Sequence, residues 1–261
     1  MIFNHYKEWY ISVFGSEAAG IILDDINECI SRDENVLKNF FKKYQRIEPI
    51  KTIENGYKIK GCKKCISKGI IIRRQDSPGF LGKLNENKYI IVGLEANIKT
   101  DIHIAYDQFE TKSVKEHLLF KRLKLFIPQI KEKSYITDIA KCRSTNLHQS
   151  RQICLKTHFL KELEILLEIN SEFKIILQGT GVESYFTNYL EPFSNPENDE
   201  IKSKKGNRLL FKRRYLILNK KKTPTVIFPH GSVQNSYLWN EIEEKEVLAK
   251  IKSKLKEFNF N

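Results

Sequence analysis

The spacing of four cysteines limits what this chain can fold into more than any other feature. Cys62 and Cys65 form a CxxC, and Cys142 and Cys154 stand far downstream. Thiolates are soft ligands, and four of them suit either tetrahedral zinc or an iron–sulfur cluster. A zinc finger or ribbon would pair two short knuckles inside one small unit. Here one knuckle meets two single cysteines across a long segment, so a shared metal would staple a large domain. Cys29 is left over in a stretch of helical pattern and reads as a small buried hydrophobe.

A length of 261 residues allows one large domain or a domain with an appendage, and it can bury a real core. The pattern divides into a helical N-terminal extension over residues 1–50 and a main domain over 51–261. Lys and Arg number 45 against 32 Asp and Glu, a formal charge of +13. That excess favours an anionic partner. Nucleic acid ranks ahead of a membrane surface, because no continuous basic amphipathic helix is visible. The competing explanation is lysine enrichment on solvated faces, as AT-rich coding produces. The start, Met1 to Glu8, lacks the apolar core of a signal peptide, and no apolar run approaches spanning length. A cytoplasmic monomer with no membrane partner is expected. Cysteines stay reduced in that compartment, which favours a metal cluster over disulfides.

Residues 35–44 carry an apolar stripe of Val36, Leu37, Phe40 and Phe41, the pattern of an N-terminal helix. From Gly61 onward strands alternate with helices. Short apolar runs at Tyr89–Gly93, Ser134–Ala140, Phe173–Leu177 and Thr225–Phe228 read as buried parallel strands. Between the second and third, Arg151–Glu168 reads as a helix with Ile153, Phe159, Leu160, Leu163, Leu166 and Leu167 on one side. The expected fold is therefore α/β, a central, mostly parallel four-stranded sheet flanked by helices. The basic stretch Asn195–Lys222, with Lys202, Lys204, Lys205, Arg208, Lys212, Arg213 and Arg214, reads as a loop and hairpin. Ser236–Phe258 reads as one closing amphipathic helix.

In parallel sheets ligands bind beyond the carboxyl ends of the strands, so those segments carry the functional signal. They are Gly93-Leu94-Glu95-Ala96-Asn97, Thr137-Asp138-Ile139-Ala140-Lys141-Cys142-Arg143, Gln178-Gly179-Thr180-Gly181 and Pro229-His230-Gly231-Ser232-Val233-Gln234-Asn235. Together with the cysteines, they resemble the uracil-DNA glycosylase superfamily, and within it the iron–sulfur branch. That branch has an early CxxC, a Gly-Glu-Ala-Pro-Gly-type loop, a Thr-Asn-x-x-Lys-Cys-Arg motif, a Cys opening a helix and a His-Pro-Ser-type loop. The resemblance spans Gly61 to Trp239, and its specific part is Lys-Cys-Arg with four matched cysteines.

The resemblance implies an enzyme that flips a nucleotide out of DNA and hydrolyses its N-glycosidic bond, with a uracil-DNA glycosylase-like fold and a [4Fe–4S] cluster on Cys62, Cys65, Cys142 and Cys154. Zinc is the fallback. Breaking the glycosidic bond creates a cationic sugar and an anionic leaving base. Glu95 matches the motif-one carboxylate that would stabilise the cation or aim a water, and His230 matches the histidine that would stabilise the anion. Tyr106 or Phe109 lies where the family stacks an aromatic on the flipped base. Lys141, Arg143, Ser232, Gln234 and Asn235 fall where DNA contacts are expected.

Three departures bear on substrate. Ala96 replaces the motif-one Pro, Gly231 stands where the last motif carries Pro, and Asp138 stands where the iron–sulfur relatives carry Asn. An Asn amide offers a donor and an acceptor, matching O4 and N3–H of uracil. An ionised Asp offers acceptors only and prefers an exocyclic amine, as when a carboxylate reads cytosine N4. A modified cytosine of foreign, phage-type DNA is the substrate this implies, ahead of a purine amine edge, and it follows the logic of antiphage glycosylases in the superfamily. Ordinary uracil repair follows instead if Asp138 is protonated and mimics Asn. Two non-enzymatic readings stand beside these. One is a catalytically inactive, metal-stapled nucleic-acid-binding protein, and the other a zinc-binding RNA or transcription module.

Overall fold

The computed structural model describes residues 63–75, 87–95, 118–189 and 199–260, with positions 5, 8, 9, 12, 13, 51, 52, 56, 57, 79 and 80 besides. Cys29, the expected helix over 35–44, Cys62, Ala96, Tyr106 and Phe109 lie outside the described residues.

In chain order the elements are β1 (Lys51–Thr52), β2 (Gly56–Tyr57), α1 (Lys63–Ile66), β3 (Ile72–Gln75), β4 (Gly79–Phe80) and β5 (Tyr89–Glu95). Then come α2 (Leu118–Leu123), β6 (Ser134–Ala140), β7 (Cys142–Ser144) and a long helix α3 over 147–169. They are followed by β8 (Lys174–Gln178), α4 (Thr180–Tyr189), β9 (Glu200–Lys202), β10 (Leu209–Leu218) and β11 (Lys221–Phe228). Helices α5 (Ser236–Ile242) and α6 (Lys245–Glu257) close the described chain, separate at Glu243 and Glu244 where one helix was expected.

The α/β architecture is as expected, with a larger sheet. The four expected strands form one all-parallel block in the order β6-β5-β8-β11. The expectation of a four-stranded, mostly parallel sheet is corrected, because antiparallel strands extend it on both sides. The sheet is mixed, in the order β4-β6-β5-β8-β11-β10-β9, with β4 only a two-residue pairing. The central runs are mainly apolar because both faces are covered: Ile90, Val92, Ile175, Ile176, Leu177, Val226 and Ile227 are all fully buried. Among the described residues no helix is long and apolar enough to cross a membrane.

The basic stretch expected as loop and hairpin is β9 and β10, the antiparallel edge of this sheet. Its charges broke the apolar run that marks a buried strand, and the structure neutralises them. Arg213 pairs with Asp199 at 2.6 Å, while Lys212 and Arg214 each pair with Glu183 at 3.0 Å.

Helix α3 begins at Leu147, four residues before its expected start, where the Asn146 side chain accepts the Gln149 amide hydrogen at 3.1 Å. It contains one wide π turn, Leu155–Phe159, immediately after Cys154. Such a turn inserts an extra residue and shifts the helix phase. Cys154 then joins the cysteine cluster while Phe159, Leu163 and Leu166 stay in the core. At the other end of the chain Trp9 is buried, and its indole N–H donates to the His158 carbonyl at 2.9 Å.

Candidate functional site at the strand ends

The chain runs from β5 outward to β6 and then returns past β5 to β8 and β11, so its direction reverses between β5 and β8. A doubly wound sheet opens a crevice at that switch point, beyond the carboxyl ends of the strands. A cleft of about 680 Å³ lies there, lined by Leu94, Gln178, Gly179, Pro229 and His230, with the β9–β10 edge as its outer wall.

His230 follows β11 and stands at the cleft, exposed to solvent although many protein atoms surround its ring. Burial among its neighbours lowers its pKa, and the positive charge of Arg122 lowers it further. The imidazole is thus neutral at neutral pH. Its Nδ1 accepts the Ser232 amide hydrogen at 3.2 Å, which assigns the remaining proton to Nε2. The loop around it is held on several sides. The His230 carbonyl accepts from Trp239 Nε1 and Asn235 Nδ2, each at 3.3 Å, and Arg122 donates to the Ser232 carbonyl at 2.9 Å. Gly231 is required by helix α2: a Cβ there would meet Leu119 side-chain atoms at 3.0 Å. A proline ring at this position would strike the same helix.

Among the expected DNA contacts, Asn235 lines the cleft while bracing His230, and Gln234 is exposed. Ser232 is half-buried, and its backbone joins Arg122 to His230.

Glu95 ends β5 and does not line the cleft; Leu94 before it does. Its carboxylate is 9% exposed and gripped by two arginines. Arg151 binds it as a fork, Nε to Oε2 at 2.9 Å and Nη2 to Oε1 at 2.7 Å, and Arg143 Nη1 reaches Oε1 at 3.2 Å. Burial works against the Arg151 charge, yet the bonds to Glu95 and Tyr185 outweigh it and raise its pKa. The fork is a bidentate, charge-assisted contact. Arg143, expected on DNA, is turned at least in part toward this carboxylate.

Asp138 sits beside Gly93 in register across β5 and β6. A Cβ on residue 93 would lie 2.1 Å from Asp138 Oδ1. Gly93 thus leaves the space that this half-buried carboxylate fills. Asp138 does not line the cleft either.

Lys141 is corrected. Expected to reach a phosphate, it is 2% exposed and pairs with Glu162, itself fully buried. Its ammonium also contacts Thr137 Oγ1 and the Asp138 carbonyl, and lies 4.9 Å from the Phe159 ring centroid. Tyr135 donates to Glu162 at 2.6 Å and Thr137 donates to the same carboxylate at 2.8 Å, so the buried charges are closed into one network. A lysine held this way has no route to a phosphate.

The cysteines converge in part. Cys65, Cys142 and Cys154 share one buried cluster with Ile70 and Ala140. The antiparallel pairing of β3 with β7 brings the CxxC segment to Cys142, and the π turn brings Cys154. Hydrogen bonds from Cys142 and then Cys65 lower the Cys154 thiol to about 3 despite its burial, with help from the Lys141 amide and the His158 charge. Among the described residues no group of three His, Cys, Asp or Glu side chains is disposed to hold an ion. Cys62 lies outside them, so only three of the four expected ligands can be compared. A buried, all-thiol donor set in mutual contact does fit a thiolate-ligated centre by its chemistry.

Sequence reasoning missed Glu162, Arg151 and Arg122. Glu162 carried a signal, since it falls three residues after Phe159 and four before Leu166, on the apolar stripe. A carboxylate there demands a buried cation. The two arginines carried none that separates them from surface arginines. Compared with known proteins, the chain matches no family model and no curated protein.

Proposed function

We propose that the protein is a DNA glycosylase that takes a flipped nucleotide at the strand ends and hydrolyses its N-glycosidic bond. The observation that carries the reading is the neutral His230, with Nδ1 occupied by the Ser232 amide and Nε2–H at the cleft. As the C1′–N bond breaks, its electron pair moves into the base and negative charge grows on a carbonyl oxygen. A preorganised neutral donor stabilises that charge without first losing a proton. Glu95, at the end of β5, is the carboxylate we assign to the cationic sugar; released from Arg143 and Arg151 it would orient the water whose oxygen bonds to C1′ and whose proton goes to the departing base. Its strand β5 and the His230 strand β11 flank β8, so their ends stand about 10 Å apart at two strand spacings. A nucleoside bridges such a gap.

Asp138, which does not line the cleft, is assigned base selection on its chemistry alone, and the assignment requires the flipped base to reach past Leu94 to β6. Acceptors alone favour an exocyclic amine, and a modified cytosine is the substrate we assign to it. Cys62, Cys65, Cys142 and Cys154 would hold a [4Fe–4S] cluster, or zinc on the same donors. The centre would supply cross-linking of distant segments, with no part in bond cleavage.

The decisive experiment incubates the protein with DNAs carrying uracil, cytosine or 5-hydroxymethylcytosine, then reveals abasic sites by alkaline cleavage. Release of the modified base, lost in His230→Ala by roughly a hundred-fold or more, is expected. The arginine grip on Glu95 favours one second reading, a nucleic-acid-binding protein without catalysis, because a carboxylate held by two guanidinium groups is a poor base. Tight DNA binding with no abasic product from any of the three substrates would establish that reading.

A further inference from the structure

The β9–β10 turn concentrates exposed positive charge beside the cleft. Lys204, Lys205 and Arg208 are all exposed, and Asn207, Arg208 and Leu209 line the cleft that also contains His230. The cations nearer the sheet are more firmly engaged: Lys212, Arg213 and Arg214 are half-buried in carboxylate pairs, whereas Lys204 has only an exposed pairing with Glu244 at 3.6 Å, which solvent screens.

The turn is braced rather than loose. Ser203 Oγ donates to Glu241 Oε2 at 2.5 Å, and the Lys204 amide donates to Oε1 at 2.8 Å. The bond from Ser203, stronger than the opposing effect of burial, lowers the Glu241 pKa, as do the Lys204 amide and the Lys204 and Lys205 charges. This anchor is therefore ionised near neutral pH. Residues Gly206 and Asn207 take left-handed backbone angles that close the turn.

Glu241 lies on α5, one helical turn after Tyr237, so the two share a face. Tyr237 is an exposed aromatic, 46% accessible, where most large apolar side chains are buried. Its hydroxyl accepts from Arg208 Nη1, and the Arg208 guanidinium carbon lies 5.6 Å from its ring centroid. A planar cation is thus held at the hydroxyl end of an exposed ring at the rim of a cleft, with two lysines on the same turn.

The geometry points to this Lys204-Lys205-Arg208-Tyr237 rim as the platform for an unpaired DNA strand running out of the cleft. Lys204 and Lys205 meet phosphates, and Tyr237 with Arg208 stacks a base next to the one in the cleft. An acidic protein would satisfy the lysines alone; a nucleotide strand uses the ring as well. Only the choice of DNA rests on the glycosylase reading.

The test measures binding of a fluorescein-labelled single-stranded oligothymidine by polarisation across a salt series. Replacing Lys204, Lys205 and Arg208 by Gln should flatten the log–log salt slope by about 2. The comparison protein replaces Lys220, Lys221 and Lys222 by Gln. These stand at the opposite end of β11, on the turn from β10, and removing the same charge there should leave the slope within error. Tyr237→Leu should weaken binding at least about five-fold, whereas Tyr237→Phe, which keeps the ring, should bind as the parent does. Equal effects of the two triple variants, or equal affinities of Tyr237→Leu and the parent, would overturn the platform. Base release by a protein indifferent to these changes sinks the platform alone. Ring-dependent binding without base release sinks the glycosylase reading alone.

Discussion

At the scale of single side chains, His230 shows how a loop can fix a protonation state. Its folded pKa lies below the ordinary value of about 6.5 for two reasons, burial first and Arg122 second. The stability this neutral ring contributes is full above that ordinary value and is lost as pH falls through the lower, folded one. The expected result is an NMR titration midpoint for His230 below 6.5, with base release persisting to the same acid limit. Arg122→Gln should raise the midpoint and Arg122→Lys should keep it low; a midpoint at the ordinary value in the parent would refute the neutral donor. Asp138 gives a second expectation. Asp138→Asn restores a donor for uracil O4, and one mismatched polar contact in a pocket is worth about 1–3 kcal/mol. Relative release should swing toward uracil by roughly ten-fold or more, unless the parent already excises uracil strongly, which would decide for a protonated Asp138. His230 and Glu95 were legible as strand-end residues because apolar runs locate strand ends, while Asp138, inside β6, stood out only through its motif. Their partners were not, since Arg122 and Arg151 reach them only through tertiary folding.

At the scale of elements, the four central strands were legible because both faces are buried and their sequences are accordingly apolar. The β9–β10 pair was legible as a hairpin but not as the edge of this sheet, because Lys212, Arg213 and Arg214 look solvated until Glu183, Asp199 and Glu257 are known to face them. Lys141 failed in the opposite direction, an apparent surface lysine that joins β6 to α3 through Glu162. Lys141→Met leaves that carboxylate buried alone, which costs about 3–5 kcal/mol when one member of such a pair is removed. Adding Glu162→Leu should recover most of the loss. Urea unfolding midpoints of the two variants decide it: a single variant as stable as the parent would return Lys141 to the surface and to DNA.

At the scale of the whole molecule, net charge overstates the positive surface. Arg143, Arg151, Arg213, Arg214 and Lys141 all stand within pairing distance of carboxylates. The salt dependence of DNA binding should therefore be steep but well short of what +13 would give if every excess cation met a phosphate. The cysteine cluster is the other global feature, since it gathers the segment at Cys65 with β7 and α3. Cys142→Ser should lower soluble yield and remove bound metal together; a stable, metal-loaded and active Cys142→Ser protein would refute the staple. The β10–β11 ribbon, finally, bears on how the chain reaches this fold in time. Its seven facing pairs close across Asn219 and Lys220, both with positive φ, the arrangement of a tight two-residue hairpin. Every parallel pairing in the sheet instead waits for a long segment to loop back, and local contacts form first because their closure entropy is small. The edge of the sheet should thus be the nucleus and its buried middle the late addition. Weakening Val226 or Ile227 should slow refolding, while weakening Ile90 or Val92 should chiefly speed unfolding.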